Sequence, residues 1–122
     1  MIFESERHER KYRELLERAG ADRASSQEVK ATLYLIALVG HEDRLFNFED
    51  CSIRLKGLNE PWQTGGSSRA TTLAFILWNG NPGADDQRDN NIYNIFGYSE
   101  YDRYFIEALR IRYPRTTGSR EE

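Results

Sequence analysis

The segment that most constrains the fold is residues 29–39, which are apolar on nearly every side. Ser25 and Glu28 precede it with the Ser-x-x-Glu spacing of a capping box, and Gly40 follows it as a helix stop. A buried strand is the competing interpretation, because short apolar runs are ambiguous. The cap and the alanine and leucine content favour a helix, and a helix without a polar face belongs at the centre of a core.

Three other segments have the spacing of amphipathic helices, in which apolar residues recur every three or four positions. Residues 5–19 carry charged residues on their remaining faces, pair opposite charges four residues apart, and stop at Gly20. A further helix begins at Ser67 or Ser68 and ends near Asn79.

The last helix begins at Ser99, has Asp102 as an acidic residue in its first turn, and stops at Pro114. Antiparallel packing is the natural way to bury these apolar stripes. We therefore predict an all-α fold, an irregular bundle of four main helices plus one or two short helices. The prediction admits a short extended segment near residues 51–56, where apolar and polar residues alternate.

The connecting segments give weaker signals. Residues 45–48 and 91–96 favour short helical turns, and residues 59–66 have the composition of a loop. No linker divides the chain, and its length of 122 residues suits one domain. We predict a single helical domain over residues 1–114 and a flexible C-terminal tail over residues 115–122.

Composition excludes several classes of protein. A hydrophobic fraction of 39% is too high for a disordered chain. The formal net charge of −3 argues against general nucleic-acid affinity, so no direct nucleic-acid partner is expected. Cys51 is the single cysteine, which excludes an intramolecular disulfide. The apolar run over residues 31–39 is too short to span a bilayer, and the opening residues lack signal-peptide features, so we expect a cytoplasmic protein without membrane contact.

Catalytic and metal-binding residues are not evident. Cys51 with His8 or His41 as its base lacks a third orienting group in the nearby sequence. The cluster His41-Glu42-Asp43 lacks the spacing of metal ligands. We therefore predict no catalytic residue, no metal and no cofactor. A buried carboxylate paired with either histidine would favour an enzyme instead.

The segment of residues 59–69 is the strongest candidate for a binding site. Gly65 and Gly66 precede a predicted helix, where backbone N–H groups can face an anion. The segment also offers the aromatic face of Trp62, a guanidinium at Arg69, and the hydroxyls of Thr64, Ser67 and Ser68. These groups suit a phosphate, a carboxylate or an acidic side chain. The alternative is that the tryptophan only anchors the loop and the small residues only cap the helix. The predicted ligand- or partner-binding residues are Asn59, Trp62, Gln63, Thr64, Ser67 and Arg69.

Acidic residues form a second candidate surface. Two lie on the first helix and three lie in a polar loop after the third main helix, and either group would complement a basic partner. The arginines interleaved along the first helix weaken this interpretation. The predicted partner-facing acidic residues are Glu14, Glu17, Asp85, Asp86 and Asp89.

The middle of the chain resembles a family of small uncharacterised bacterial proteins, a domain of unknown function found in mobile elements and phage-rich bacteria. The specific part is Trp62-Gln63-Thr64 followed at fixed spacing by Leu73-Ala74-Phe75 and Asn79-Gly80. The opening residues 8–12 and the closing residues 108–113 extend the resemblance over most of the chain. It implies a small accessory protein of a mobile element, but it supplies no catalytic residues.

Three functions follow as expectations. The first is a small non-enzymatic protein-binding module whose partner is another protein, in particular a phage- or mobile-element-borne inhibitor of host defence such as an anti-CRISPR protein. The second is a small-ligand or nucleotide-binding protein that uses residues 62–69. The third is an enzyme of unknown class, which the sequence supports least.

Overall fold

The computed structural model describes residues 1–79, 95–97 and 101–117, and the predicted turns of residues 91–94 lie outside this part of the chain. The described residues confirm a mainly α fold. The elements are α1 (Glu6–Ala19), α2 (Ala21–Ala24), α3 (Gln27–Val39), α4 (Glu42–Leu45), β1 (Phe46–Asn47), β2 (Ser52–Ile53), a 3₁₀ helix (Leu55–Asn59), α5 (Gly65–Asn79), α6 (Asp102–Arg112) and α7 (Pro114–Thr117).

Helix α3 is the centre of the fold, as its apolar sequence predicts. Every residue from 31 to 37 is fully buried, and α1, α5 and α6 pack around the helix. Its N-cap is Ser26, whose hydroxyl accepts a hydrogen bond from the Val29 backbone N–H, rather than the predicted Ser25. The hydroxyl of Ser25 instead donates to the Asp22 carbonyl at the end of α2, a short helix that the sequence did not reveal.

Helix α1 joins α3 through a buried aromatic cluster. His8 and Tyr34 have no exposed surface, and their ring centroids lie 4.7 Å apart. Phe3 packs against both rings, at 5.2 Å from His8 and 5.8 Å from Tyr34. The Tyr34 hydroxyl donates a 2.6 Å hydrogen bond to the Ile2 carbonyl, which fixes the N-terminal segment on the core. We call Phe3, His8, Tyr12, Tyr34 and Tyr104 the aromatic cluster.

The connection from α3 to α5 contains more structure than the sequence predicted. Strands β1 and β2 form an antiparallel pair in which Phe46 lies opposite Ile53, so the extended segment expected near residues 51–56 is present at its start. The helical turn predicted over residues 45–48 is displaced, because α4 ends at Leu45 and Phe46 already belongs to β1. A Cβ atom at Gly57 would collide with the Arg44 carbonyl, so only glycine lets the 3₁₀ helix approach α4 this closely.

The beginnings and ends of the last helices differ from the predictions by a few residues. Helix α5 begins at Gly65 behind Thr64, several residues before the predicted caps Ser67 and Ser68. Helix α6 begins at Asp102, and the predicted start, Ser99, lies outside the described residues. Proline 114 ends α6 as expected, and the first residues of the predicted tail form the short helix α7.

Candidate functional site

A cleft opens between the end of α3, the loop after the 3₁₀ helix, the first turns of α5 and the residue before α6. Its volume is about 300 Å³. Aromatic rings, aliphatic side chains and hydroxyls share its wall, a mixture typical of binding sites. We call it the Trp62 cleft, and its lining residues are Leu38, Val39, His41, Trp62, Thr64, Gly66, Ser67, Ala70 and Tyr101.

One wall of the cleft is a stack of two rings. The His41 and Trp62 centroids lie 4.0 Å apart and their planes differ by only 13°. His41 adopts the left-handed conformation, with φ 53° and ψ 41°, directly after α3 ends at Gly40. This turn brings the imidazole over the indole, so the end of α3 and the loop before α5 are joined by an aromatic contact.

The indole nitrogen of Trp62 is not part of the accessible surface of this wall. Trp62 Nε1 is buried and finds no hydrogen-bond acceptor among the described residues. A buried donor without an acceptor costs about 1–3 kcal/mol. Only a rearrangement that exposed this atom would let an oxygen of a bound group accept its hydrogen bond.

On the other side, the Tyr101 ring lies over the first turn of α5. A Cβ atom added at Gly66 would stand 3.6 Å from Tyr101 Cε2, which is ordinary van der Waals contact. The small residue therefore leaves room between the ring and the helix. Tyr101 also precedes α6, so the cleft brings together residues from the middle and the C-terminal part of the chain.

A hydrogen-bond network holds the floor of the cleft. Thr64 and Ser67 form a reciprocal capping box, because the Ser67 N–H donates to Thr64 Oγ1 and the Thr64 N–H donates to Ser67 Oγ. Gln63 Nε2 donates to the Gly57 carbonyl at 3.0 Å and to Thr71 Oγ1 at 3.2 Å. The Ser67 hydroxyl in turn donates to Gln63 Oε1. The hydroxyls that line the cleft are thus fixed in position before anything binds.

The predicted binding residues divide into two groups. Trp62, Thr64 and Ser67 line the cleft, and Gln63 supports it from behind. Asn59 is exposed at the end of the 3₁₀ helix and is not part of the lining.

Arg69, the remaining member of the predicted set, also stays outside the lining. Its guanidinium lies against Gly65, where an added Cβ atom would be 3.4 Å from Nη1. Arg69 therefore flanks the start of α5 rather than pointing a positive charge into the cleft.

Sequence reasoning missed most of the apolar wall. The positive φ of His41 and its contact with Trp62, which lies 21 positions later, leave no local pattern to read. Tyr101 falls within the predicted last helix, where its spacing fits the buried stripe equally well. The glycine pair at residues 65–66 was the useful signal for the position of the cleft, since Gly66 lines it.

His8 cannot act as the base of an enzyme in this arrangement. Its Nδ1 accepts a hydrogen bond from the Glu4 backbone N–H, and its Nε2 lies 2.8 Å from the Tyr34 carbonyl. This pairing assigns the proton to Nε2, and both nitrogens are then engaged. Burial lowers the pKa of His8, and the bond to the Tyr34 carbonyl opposes that shift only in part. The imidazole is a structural, uncharged member of the aromatic cluster.

The buried carboxylate Glu107 does not pair with this histidine. Its Oε1 accepts a hydrogen bond from Arg110 at 3.5 Å. Its charge raises the pKa values of Tyr12 and Tyr34, although burial of the two phenols is the larger cause. A buried carboxylate paired with His8 would have favoured an enzyme, and the described part of the chain contains no such pair.

Neither Cys51 nor the acidic residues that the structure describes show the features of a reactive centre. Burial raises the pKa of the Cys51 thiol, which opposes formation of the nucleophilic thiolate. Within residues 1–79, 95–97 and 101–117, no three His, Cys, Asp or Glu side chains are grouped closely enough to hold a metal ion.

The predicted acidic surface is only partly described. Glu14 is exposed on α1 and pairs with Lys11 at 3.5 Å, and Glu17 is exposed one turn further along. Arginine 18, on the same helix, pairs with Asp43 at 2.8 Å. Positive and negative groups therefore alternate on this helix. The other predicted acidic residues, Asp85, Asp86 and Asp89, lie outside the described residues.

Among the helices that the structure describes, none combines the length and the apolar character that crossing a bilayer would require. No curated protein and no solved structure matches the chain. One family model does match, and it covers residues 1–122. The chain belongs to this family, a family of unknown function designated DUF6075.

Proposed function

We propose that this protein is a non-enzymatic protein-binding module that receives a side chain of a partner protein in the Trp62 cleft. The observation that carries the proposal is the pre-formed aromatic wall, in which His41 and Trp62 stack at 4.0 Å beside fixed hydroxyls. Tryptophan and tyrosine in concave surface sites supply much of the binding energy of protein interfaces.

The size of the cleft favours a side chain over a whole small molecule. Its volume of about 300 Å³ stands at the lower end of the range for ligand pockets, about 300–1,000 Å³. A phosphate or nucleotide would also be favoured by a positive charge in the wall, and Arg69 lies outside the lining. These two features make the small-ligand hypothesis the weaker one.

The chemistry of the wall suggests what the partner presents. The rings and the aliphatic residues Leu38 and Val39 suit an apolar or aromatic side chain. The exposed Thr64 hydroxyl, whose proton has only a long 3.3 Å contact with Ser67 Oγ, suits an adjacent carbonyl or carboxylate oxygen. A short apolar segment with its own backbone carbonyl nearby would satisfy both.

A narrower proposal is that the module inhibits a host defence, such as a CRISPR nuclease, for a phage or mobile element. It rests on the family resemblance and on the small size of the chain. The version in which an acidic face covers a basic nucleic-acid channel has less support, because the charges on α1 alternate. Inhibition through the Trp62 cleft does not require an acidic face.

The test is affinity capture from lysate with the tagged full chain, followed by binding measurements with whatever partner is purified. Trp62→Ala removes the centre of the aromatic wall and should weaken binding at least tenfold, as loss of a hot-spot residue does. Trp62 emission, read in a Trp78→Phe background, should change when the purified partner is added.

The glycine pair supplies a matched control. Gly66→Ala adds a methyl group to the cleft wall, and Gly65→Ala adds the same group one position away, outside the lining. Binding should weaken in the first variant and stay unchanged in the second. Equal binding by wild type and Trp62→Ala would contradict the proposal. A metabolite retained in native mass spectra and lost with Trp62→Ala would replace it with the small-ligand function.

A further inference from the structure

A second surface, distant in sequence from Trp62, has the composition of a docking face. Four residues of α6 and its end are exposed at spacings of three and four: Arg103, Ile106, Arg110 and Tyr113. This spacing places them on one side of the helix. On the opposite side Phe105 and Ala108 are fully buried, and α6 packs on α3. We call the four exposed residues the α6 stripe.

The apolar members of the stripe are unusually accessible. Ile106 and Tyr113 are each 43% exposed. They stand seven positions apart, about 10 Å along the helix axis. A partner helix bound alongside would present apolar residues at the same seven-residue spacing. One such exposed residue would be ordinary, but here two lie on the same side of one helix, with the exposed Arg110 between them.

The charge of this region is opposite to that of the chain. Residues 101–117 carry four arginines against two carboxylates, a formal net charge of +2, whereas the whole chain carries −3. One of the two carboxylates, Glu107, is buried. Arg110 contacts it at 3.5 Å and keeps half of its side chain accessible. The guanidinium of Arg103 lies 5.8 Å from the Tyr104 ring centre, and Arg103 is exposed.

We propose that the α6 stripe binds a protein segment that is both acidic and apolar, such as an amphipathic helix with carboxylates beside its apolar side. Arginine and tyrosine around an aliphatic centre are characteristic of interface hot spots. The two stripe arginines complement carboxylates, and Ile106 complements the apolar side. Nucleic acid fits less well, because Ile106 interrupts the positive charge and phosphate recognition needs a concentrated basic patch.

The proposal is tested with the full chain and a synthetic helical peptide that carries leucines at every third or fourth position and glutamates elsewhere. Titration followed in ¹H–¹⁵N spectra should shift the amide signals of α6, and the lysine counterpart of the peptide should bind at least tenfold more weakly. The variant Arg103→Glu/Ile106→Ser should weaken binding of the glutamate peptide about tenfold or more, in line with removal of an interface anchor.

The chain offers a closely matched control on another surface. Leu55 is 41% exposed and stands beside the exposed Lys56 on the 3₁₀ helix. Leu55→Ser/Lys56→Glu therefore changes the same amounts of charge and apolar surface and should leave binding unchanged. Thermal unfolding of both double variants checks that each remains folded.

Several results would overturn the proposal. The proposal fails if the glutamate peptide does not bind, or if the lysine peptide binds as tightly as the glutamate peptide. It also fails if the two double variants lose binding to the same extent. Stronger binding of a DNA duplex or of phosphatidylserine vesicles would assign the stripe to a different partner. Trp62→Ala should not affect peptide binding, so failure of this proposal and failure of the cleft proposal are separable.

Discussion

Two histidines in this molecule each pack against an aromatic residue, with opposite consequences. His8 meets Tyr34 at 4.7 Å with the ring planes inclined by 61°, and no part of either residue is exposed. His41 meets Trp62 at 4.0 Å with the planes nearly parallel, and His41 is exposed at the edge of a cleft. The His8–Tyr34 pair lies inside the core, whereas the His41–Trp62 pair leaves ring surface and polar groups accessible.

The difference shows that a residue type does not indicate its role until its surroundings are known. Both nitrogens of His8 are engaged by the backbone, so the ring serves as an internal cross-link between the N-terminal segment and α3. His41 instead depends on a left-handed backbone turn to reach Trp62. A sequence presents both simply as a histidine near an apolar helix.

The largest effect is expected from His8→Ala. The variant leaves a cavity in the aromatic cluster and removes the acceptor of the Glu4 N–H and the donor to the Tyr34 carbonyl. We expect a loss of about 2–4 kcal/mol in the free energy of unfolding, measured by urea denaturation. His41→Ala, at the exposed pair, should cost less than about 1 kcal/mol. Similar costs for the two variants would contradict the distinction drawn between the pairs.

A second large effect is expected at Gly57, which supports the cleft and not the aromatic cluster. An alanine Cβ would collide with the Arg44 carbonyl and lie 2.6 Å from Leu45 Cδ2, so the 3₁₀ helix must move away from α4. The Gly57 carbonyl also accepts the hydrogen bond from Gln63. Gly57→Ala should lower the free energy of unfolding by about 1–3 kcal/mol and weaken partner binding. Unchanged stability would show that this close approach is not required.

The burial of His8 also makes the stability of the protein depend on pH. Burial holds the pKa of His8 below its ordinary value of 6.5 in the folded state, so the unfolded chain takes up the proton first as pH falls. The stabilising contribution is complete above about pH 6.5 and is lost as pH decreases from there towards the folded-state pKa. Glu4, whose charge favours protonation, and Arg7, whose charge opposes it, shift the pKa by smaller amounts.

The measurement is urea denaturation at a series of pH values between about 5 and 7.5. Wild type should lose stability across this range. His8→Gln keeps a donor and an acceptor but does not titrate, so its loss should be smaller. A wild-type curve that is flat below pH 6.5 would show that His8 is protonated in the folded state without cost.

The helical core could be predicted from sequence because each long helix has its own local signal. The apolar segment of α3, the Gly20 stop and the Pro114 stop depend on spacing and backbone chemistry within a few residues. Strand β1 was missed, since two paired residues are too few to produce a periodic pattern. The cap of α5 was placed too late because Thr64, Ser67 and Ser68 all have capping side chains.

The candidate site was harder to predict because its parts come from distant positions. The segment around Trp62 stood out through its unusual composition, so three lining residues were identified. His41 and Tyr101 reach the cleft only through tertiary packing, and Arg69 lies beside Gly65, outside the lining. Periodicity identifies which residues are buried, but it does not tell which buried surfaces leave a gap between them.

The smallest effect is expected at the glycine pair, where stability and binding should separate. Both glycines are in the first turn of α5 and have helical conformations without positive φ, so alanine fits at either position. Each substitution should raise the free energy of unfolding by up to about 1 kcal/mol, because glycine loses more backbone entropy in a helix than alanine does. Calorimetric melting of Gly65→Ala and Gly66→Ala checks this.

A Gly66→Ala protein that is more stable and binds its partner less well would show that the space between Tyr101 and α5 is kept for binding. If the same variant is more stable and binds normally, the methyl group does not obstruct the partner, and the recognition surface must lie on the His41–Trp62 side of the cleft.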